Sequence, residues 1–386
     1  MLLFIKKIFA SSFLKTLILI FLLKGVVVFA VFFGFPDLGI DGLKIPHGGD
    51  SRGYYSFSRY LINGNLGGGS LPIGYPLVII PVIKIFPNVD AVQLDFYFSL
   101  FHSLVAFTIA AGLLYKFIEI IFKKEFYAKT AAWLFVFFPY FFYFLSGFFL
   151  KSIPYAIDFQ QSRTLQLLWL QSGSDYLSTA IIFGIFLAIL FWNRFGNNHL
   201  FWFGLGVGLI VVMRPQNSVL LILGLILILL ARKWHWFFWF LMGIIPFVGI
   251  QLLINFLTES QFFSFGYDAS TNDNIASLEE HGAVMFSPWN TFKIISYLDR
   301  YEVLWLGVFI LLFLSLLFLI GLYWIYNKNR IVFVLCGLIL PVYIYSLTWF
   351  EPVYRNPRYF FPIIPLVFVI IFSCYNYFLE FYAKQK

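Results

Sequence analysis

Charged residues are scarce in this chain. They make up 11% of its 386 residues, whereas 61% of the residues are hydrophobic. A soluble protein of this size would show polar faces at a helical or strand period, and such faces are absent. The ten-residue alternating segments of a membrane β-barrel are absent as well. The composition therefore excludes a soluble globular protein and indicates an all-α polytopic membrane protein.

Cysteines are few, and the basic residues are dispersed. Cys336 and Cys374 both lie within apolar runs, so neither a disulfide framework nor a cysteine metal cluster is expected. The formal net charge is +8, but the lysines and arginines fall mainly in short connections, where they orient membrane helices. This distribution argues against a nucleic-acid partner.

What the chain has in abundance is long apolar runs. A run of about 20 residues crosses a hydrocarbon core of about 30 Å. No connection is long enough for a separate soluble domain, so residues 1–386 are predicted to form a single transmembrane domain with large outer loops at about 36–94 and 258–302. The predicted spans are about 13–35, 95–122, 127–147, 174–193, 199–213, 216–231, 235–257, 303–326, 331–350 and 359–380. The first is expected to be an uncleaved signal anchor.

The charge distribution predicts how these spans are oriented. With the N-terminus in the cytoplasm, the cytoplasmic segments hold only three of the 18 acids, Glu119, Glu125 and Glu380, beside most of the lysines and arginines. This is the positive-inside pattern. We therefore expect a multi-pass protein of the plasma (inner) membrane with both termini in the cytoplasm.

The first outer loop contains the polar stretch "HGGDSRGYY", residues 47–55. We expect Asp50 to cap a short interfacial helix that continues to Gly64, with Tyr54, Phe57 and Leu61 on one side. The following segment, 72–87, contains four prolines, which would remove several helical hydrogen bonds. A re-entrant or interfacial segment is therefore expected there rather than a span.

Four stretches, in this order, resemble the GT-C glycosyltransferases. They are "GGDSRGYYSFSRYLINGN" with "PIGYPLVIIP", then "SGSDYLSTAIIFG", "GLGVGLIVVMRPQNSVLLI" and "NPRYFFPIIPLV". These enzymes take a sugar from a polyprenyl-phosphate carrier, and the pattern is most similar to protein O-mannosyltransferases and lipid A aminoarabinose transferases. The resemblance extends over most of the chain. It implies a GT-C fold and transfer, on the outer face, to an acceptor hydroxyl or amine of a glycan, lipid or protein.

The resemblance places the catalytic base at Asp50. Attack by an acceptor hydroxyl inverts the anomeric carbon and needs a base near the incoming oxygen. Partial burial at an interface raises the pKa of a carboxyl and so makes it a better base. An N-cap or a solvated loop acid is the alternative reading. Tyr54, on the same short helix, is a candidate contact for the sugar.

A second acid is expected at the outer end of the fourth span. Asp175 matches a family position that orients the acceptor or binds an ion, and a helix N-cap is the alternative. Asp158, in the stretch "KSIPYAIDFQQSR", competes for this role. If two of Asp50, Asp158 and Asp175 converge, their oxygens suit a divalent cation such as Mg²⁺ or Mn²⁺, but the mechanism does not require one.

Arginines are expected to bind the leaving phosphate. By resemblance Arg358 and Tyr359 face the lipid phosphate with assistance from Arg355, since a guanidinium matches phosphate oxygens in bidentate fashion. Ordinary interfacial anchoring is the alternative for these residues. Arg214, held between two spans by Pro215, is either a further substrate contact or a snorkelling side chain.

The predicted function is therefore an integral membrane glycosyltransferase that uses a lipid-linked sugar donor. A transporter or flippase of a lipid-linked saccharide is one alternative, and a polysaccharide polymerase or ligase using a diphosphate carrier is another. Transporters tend to place charges at the bilayer midplane. Here Lys24 alone lies near the centre of a span, and the candidate acids lie at one face, which favours the enzyme.

Overall fold

The computed structural model describes residues 11–34, 49–65, 72–150, 169–170, 173–259, 304–348 and 357–385. Within these ranges the chain is helical and contains no β-strand. Short 3₁₀ or π segments join some of the helices. The α-helices are α1 (Ser12–Gly34), α2 (Gly49–Ile62), α3 (Gly74–Ile85), α4 (Ala91–Leu100), α5 (Phe107–Phe122), α6 (Glu125–Leu150), α7 (Ser174–Ile189), α8 (Asn197–Met213), α9 (Val219–Ala231), α10 (His235–Glu259), α11 (Leu304–Lys328), α12 (Arg330–Val334), α13 (Leu340–Thr348) and α14 (Ile364–Gln385).

Four described stretches are long and apolar enough to cross a membrane: Ser12–Ala30, Phe96–Phe122, His235–Leu257 and Phe360–Lys384. Shorter apolar helices accompany them, among them α3, α7, α8 and α9. Each predicted span overlaps a described helix. The prediction of a helical chain with helices suited to a membrane is therefore confirmed for the described residues. The count of ten spans and the GT-C fold stay predictions.

The proline-rich segment 72–87 folds as a helix of 12 residues, α3. Pro72 and Pro87 lie outside it, and Pro76 is in its first turn, where a helix needs no N–H donor. Only Pro81 removes an interior hydrogen bond, so the four prolines disrupt the helix less than their number suggests. At about 18 Å, α3 is too short to cross a hydrocarbon core.

Contacts divide the chain into two compact units. Unit 1 comprises residues 1–187, 196–215 and 239–270, and unit 2 comprises residues 188–195, 216–238 and 271–386. Of the candidate site residues within the described ranges, Asp50, Tyr54, Asp175 and Arg214 belong to unit 1. Arg358 and Tyr359 belong to unit 2.

Glycines allow α8 and α10 to pack backbone to backbone in unit 1. A Cβ atom at Gly204 in α8 would collide with the carbonyl oxygen of Phe240 in α10. A Cβ atom at Gly243 in α10 would collide in turn with the carbonyl oxygen of Phe201. This reciprocal contact fixes where α8 lies, and its C-terminal end therefore has a defined position in unit 1.

The start of α3 meets that end of α8. A Cβ atom at Gly74 would lie 2.6 Å from the backbone nitrogen of Met213, the residue before Arg214. We expect Gly74→Ala to lower the free energy of unfolding by about 1–3 kcal/mol, because the backbone must shift. Gly25→Ala is the matched control, since a Cβ atom there meets nothing within 4 Å. Thermal unfolding in one detergent compares the two, and equal melting temperatures would contradict this packing.

In unit 2, α11 packs along α14. Gly321 in α11 makes the close approach possible, since a Cβ atom there would lie 2.9 Å from the carbonyl oxygen of Ile370. The ends of the two helices also meet, because the Lys328 ammonium lies 3.3 Å from a carboxylate oxygen of Glu380. The two helices are therefore paired along their length.

Candidate functional site

The centre of the candidate site is a buried ion pair in unit 1. Arg214 Nη2 donates a hydrogen bond to Asp175 Oδ2 at 2.6 Å, and the two side chains are 3% and 4% exposed. Asp175 lies in the first turn of α7, and Arg214 directly follows α8. The short connection between α7 and α8 makes them antiparallel neighbours, so the start of one lies beside the end of the other. The structure therefore joins two residues that the sequence predicted separately.

The burial of this pair makes each partner depend on the other. Removing a carboxylate or a guanidinium from water is costly, and mutual attraction compensates only while both charges are present. The position of Asp175 adds to this, because a negative charge at a helix N-terminus interacts favourably with the helix dipole. Arg214 is thus a buried partner of Asp175, and the snorkelling interpretation of Arg214 is wrong in this structure.

Helix α2, which carries Asp50, docks at the same end of α7. The Tyr54 hydroxyl and the Ser174 hydroxyl lie 3.3 Å apart, and either can donate the hydrogen bond. Ser174 is the residue before Asp175. Asp50 lies in the first turn of α2, about 6 Å along the helix from Tyr54. The backbone at position 50 is therefore one helical turn from a residue that touches the start of α7.

Asp50 was expected to cap α2, with the helix ending near Gly64. The helix instead begins at Gly49 and ends at Ile62, so Asp50 is inside its first turn. The Asp50 side chain lies outside the described part of the structure, and its role as a base stays a prediction.

Tyr54 was expected to contact a sugar, and the structure places its ring inside unit 1. The side chain is fully buried and packs edge-on against Tyr75, with ring centroids 5.1 Å apart. Phe57, on the same helix, is 1% exposed and packs with Ile73 and Val212. In this position Tyr54 anchors α2 to α7 and has no ring face open to a ligand.

A second set of polar contacts fastens α2 to the segment after α3. Arg59 Nη2 donates hydrogen bonds to the carbonyl oxygens of Pro87 at 2.7 Å and Val89 at 3.1 Å. The Tyr55 hydroxyl donates to the same Val89 oxygen at 2.9 Å and accepts a hydrogen bond from Arg59 Nε at 3.0 Å. Together with the Tyr54 contact, these bonds fasten α2 both to the start of α7 and to the segment after α3.

The sequence analysis missed two buried amides in α10. Gln251 Oε1 accepts a hydrogen bond from the backbone nitrogen of Ile73 at 2.6 Å, just before α3 begins. Gln251 Nε2 donates to Asn255 Oδ1 at 2.7 Å. This network satisfies an N–H donor at the start of α3 that the helix itself leaves unbonded. The signal was present, since two amides four residues apart in an apolar helix share one face.

Unit 1 holds two other buried polar residues, and one of them, His102, lies near the start of α7. His102 is in the π segment Phe101–Ala106, a distortion that is frequent at functional sites, and its ring centroid is 5.4 Å from that of Tyr176. Lys24 in α1 is 2% exposed, and its ammonium lies 4.3 Å from the centroid of the Phe107 ring. The interior of unit 1 therefore contains polar side chains, although the chain as a whole is strongly apolar.

The structure describes only part of the remaining predicted site residues. Asp158 and Arg355 lie outside the described residues. Arg358 and Tyr359 are in the 3₁₀ segment Pro357–Ile363 that precedes α14, and their side chains are outside the described part. Their phosphate-binding roles stay predictions.

The described residues offer little to a metal ion. Among them, no three His, Cys, Asp or Glu side chains lie close enough to share an ion. Asp175, one of the three candidate ligands, is paired with Arg214, and a guanidinium at 2.6 Å would repel a cation bound to the same carboxylate. The described part of the site therefore does not suit a divalent cation at Asp175.

Comparisons of the chain with protein-family models, with curated proteins and with solved structures find no match.

Proposed function

We propose that the chain is an integral membrane glycosyltransferase of the GT-C type. It moves a sugar from a polyprenyl-phosphate carrier to an acceptor hydroxyl or amine, with inversion at the anomeric carbon. The observation that carries this proposal is the docking of α2 on α7, through Tyr54 and Ser174, which brings the helix bearing Asp50 to the buried Asp175–Arg214 pair. The resemblance of these same stretches to GT-C enzymes supplies the chemistry.

In the proposed reaction Asp50 takes the proton of the acceptor as its oxygen attacks the sugar. Asp175 keeps Arg214 in place. A guanidinium has five N–H donors in a planar fork, so pairing with one carboxylate is compatible with a second anionic partner. Arg214 then helps to stabilise negative charge as it develops on the leaving phosphate. The scheme does not require a metal.

The proposal includes an arrangement in the membrane. The ten helical spans follow from the apolar runs of the sequence, and the outer-face location of α2 and the cytoplasmic termini follow from its positive-inside pattern. Arg358 and Tyr359, with Arg355, bind the lipid phosphate in this proposal. The plasma (inner) membrane is the proposed location, and the membrane lipid and the lipid-linked donor are the proposed partners.

The proposal is tested by offering three labelled donors to membranes that carry the chain: a sugar on polyprenyl phosphate, the same sugar on polyprenyl diphosphate, and a nucleotide sugar. We expect the first alone to be consumed, with release of free polyprenyl phosphate and appearance of label in a new product. Consumption of the diphosphate donor instead would indicate a polymerase or ligase. Movement of an intact donor across the membrane would indicate a transporter. Either result would contradict the proposal.

A further inference from the structure

One end of unit 2 carries a concentration of positive charge. The described basic side chains of this unit outnumber the acidic ones by six to one, Glu380 being the acid. We call the basic set the cationic rim, and its members are Arg194, Arg232, Lys233, Lys328, Arg330 and Lys384. All of them are solvent-exposed.

Contacts between neighbouring helices show that the rim residues lie at the same end of unit 2. Tyr343 donates a hydrogen bond to Asn217 at 3.2 Å, which places the start of α9 beside α13. From that point α9 runs about 20 Å to Arg232, and α13 with α12 runs about 20 Å back to Arg330. The π segment Leu335–Ile339, between α12 and α13, also contacts α9. The α12–α13 stretch therefore runs alongside α9, and Arg232 and Arg330 lie at the same end of this pair.

The other members join this end through neighbouring contacts. The rings of Trp192 and Trp236 are 5.6 Å apart, which brings Arg194 beside Lys233. The ion pair of Lys328 with Glu380 brings the last turns of α14, where Lys384 lies, to the α11–α12 turn. The rim is therefore one surface, although its members come from four separate parts of the chain.

Aromatic rings hold most of these cations in place. The Lys233 ammonium is 4.1 Å from the Trp236 ring centroid, and the Arg330 guanidinium carbon is 4.4 Å from that of Tyr326. Lys328 and Arg194 make longer contacts of the same kind, with Trp324 at 5.5 Å and with Phe191 at 5.7 Å. Such contacts restrict a long side chain while leaving its charge available to a second partner.

We propose that the cationic rim binds the phosphate headgroups of anionic phospholipids. The positive charge of the rim favours an anionic ligand. The surface beside it favours a ligand with a hydrocarbon part, because the rim adjoins large exposed apolar side chains such as Trp234 and Tyr382. Aromatic and basic side chains together are typical of the membrane–water interface. A lipid supplies both a phosphate and an acyl chain, whereas a nucleic acid supplies only the first. This proposal does not depend on the proposed glycosyltransferase activity.

The test counts lipids on the detergent-purified full chain by native mass spectrometry. Dioleoylphosphatidylglycerol and dioleoylphosphatidylcholine are the probes, and the ratio of their binding constants is the readout. Each basic side chain near an anionic surface contributes about 1 kcal/mol, which corresponds to about a fivefold change in this ratio. We therefore expect Lys233→Gln and Arg330→Gln each to lower the preference for phosphatidylglycerol about fivefold, and the double variant about 25-fold.

Two further variants make the test specific. Lys84→Gln removes an exposed charge from α3 in unit 1, and it is expected to leave the preference unchanged. Glu380→Gln removes the acid of the rim, and it is expected to raise the preference about fivefold, which a misfolded protein would not do. An unchanged ratio in the double variant, an equal loss in Lys84→Gln, or displacement of the lipid by a short oligonucleotide would each overturn the proposal.

Discussion

Replacing Arg214 with methionine is expected to lower the free energy of unfolding by about 3–5 kcal/mol. The substitution removes the guanidinium that is paired with the Asp175 carboxylate, which is 4% exposed, inside unit 1. Removing one partner of a buried ion pair costs more than replacing both, so the companion Asp175→Asn/Arg214→Met double variant is expected to recover most of the stability. Denaturant unfolding in mixed micelles measures all three proteins.

An exposed ion pair serves as the matched control. Lys129 Nζ and Glu125 Oε1 lie 2.8 Å apart, with side chains 43% and 50% exposed. Hydrogen bonds donated by the Lys129 and Ser12 side chains lower the pKa of Glu125, but solvent screens the pair. Lys129→Met should therefore cost much less stability than Arg214→Met. If Arg214→Met costs no more than this control, Asp175 and Arg214 do not form a buried pair in the protein.

Much of the helical architecture could be predicted because long apolar runs permit few alternatives. The helices α7 and α8 appear where the apolar runs lie, and Asp175 and Arg214 were each placed at the correct helix ends. Their pairing was not predicted, because hydropathy locates the ends of a helix and says nothing about its rotation about its own axis. The short connection between α7 and α8 nevertheless predicts that they are antiparallel neighbours. The proximity of Asp175 and Arg214 could have been inferred from that.

The least predictable contacts join residues far apart in sequence. The hydrogen bond from the Ile73 backbone to Gln251 spans 178 residues, and no local pattern specifies it. Tyr54 shows a different difficulty. A tyrosine on a polar loop helix was interpreted as a ligand contact, whereas its ring packs on Tyr75 and its hydroxyl bonds to Ser174. An amphipathic helix indicates which side is buried but not what it is buried against.

The second large effect is expected at Asp50. Replacing this residue with asparagine removes the proposed base and keeps the size of the side chain. General base catalysis contributes about 10²–10⁴-fold to rates, so we expect sugar transfer to fall by about that factor. Asparagine is tolerated at a helix start as well as aspartate, so the amount of folded protein should not change.

Asp90 provides the matched control, because it also lies at a helix start in unit 1. Its carboxylate caps α4 by accepting a hydrogen bond from the Gln93 backbone at 2.7 Å. Asparagine caps a helix equally well, so Asp90→Asn is expected to keep both its stability and its transfer activity. This control shows whether the effect of Asp50→Asn comes from losing the catalytic base or merely from losing a carboxylate at the start of a helix.

The most direct test of the central claim, that α2 brings a base to the Asp175–Arg214 pair, is one measurement on membranes with equal amounts of each protein. Release of polyprenyl phosphate from a labelled polyprenyl-phosphate sugar is followed for the unaltered chain, Asp50→Asn and Asp90→Asn. The account predicts release by the unaltered chain and by Asp90→Asn, and a loss of about 10²-fold or more in Asp50→Asn. Equal release by all three proteins would contradict it.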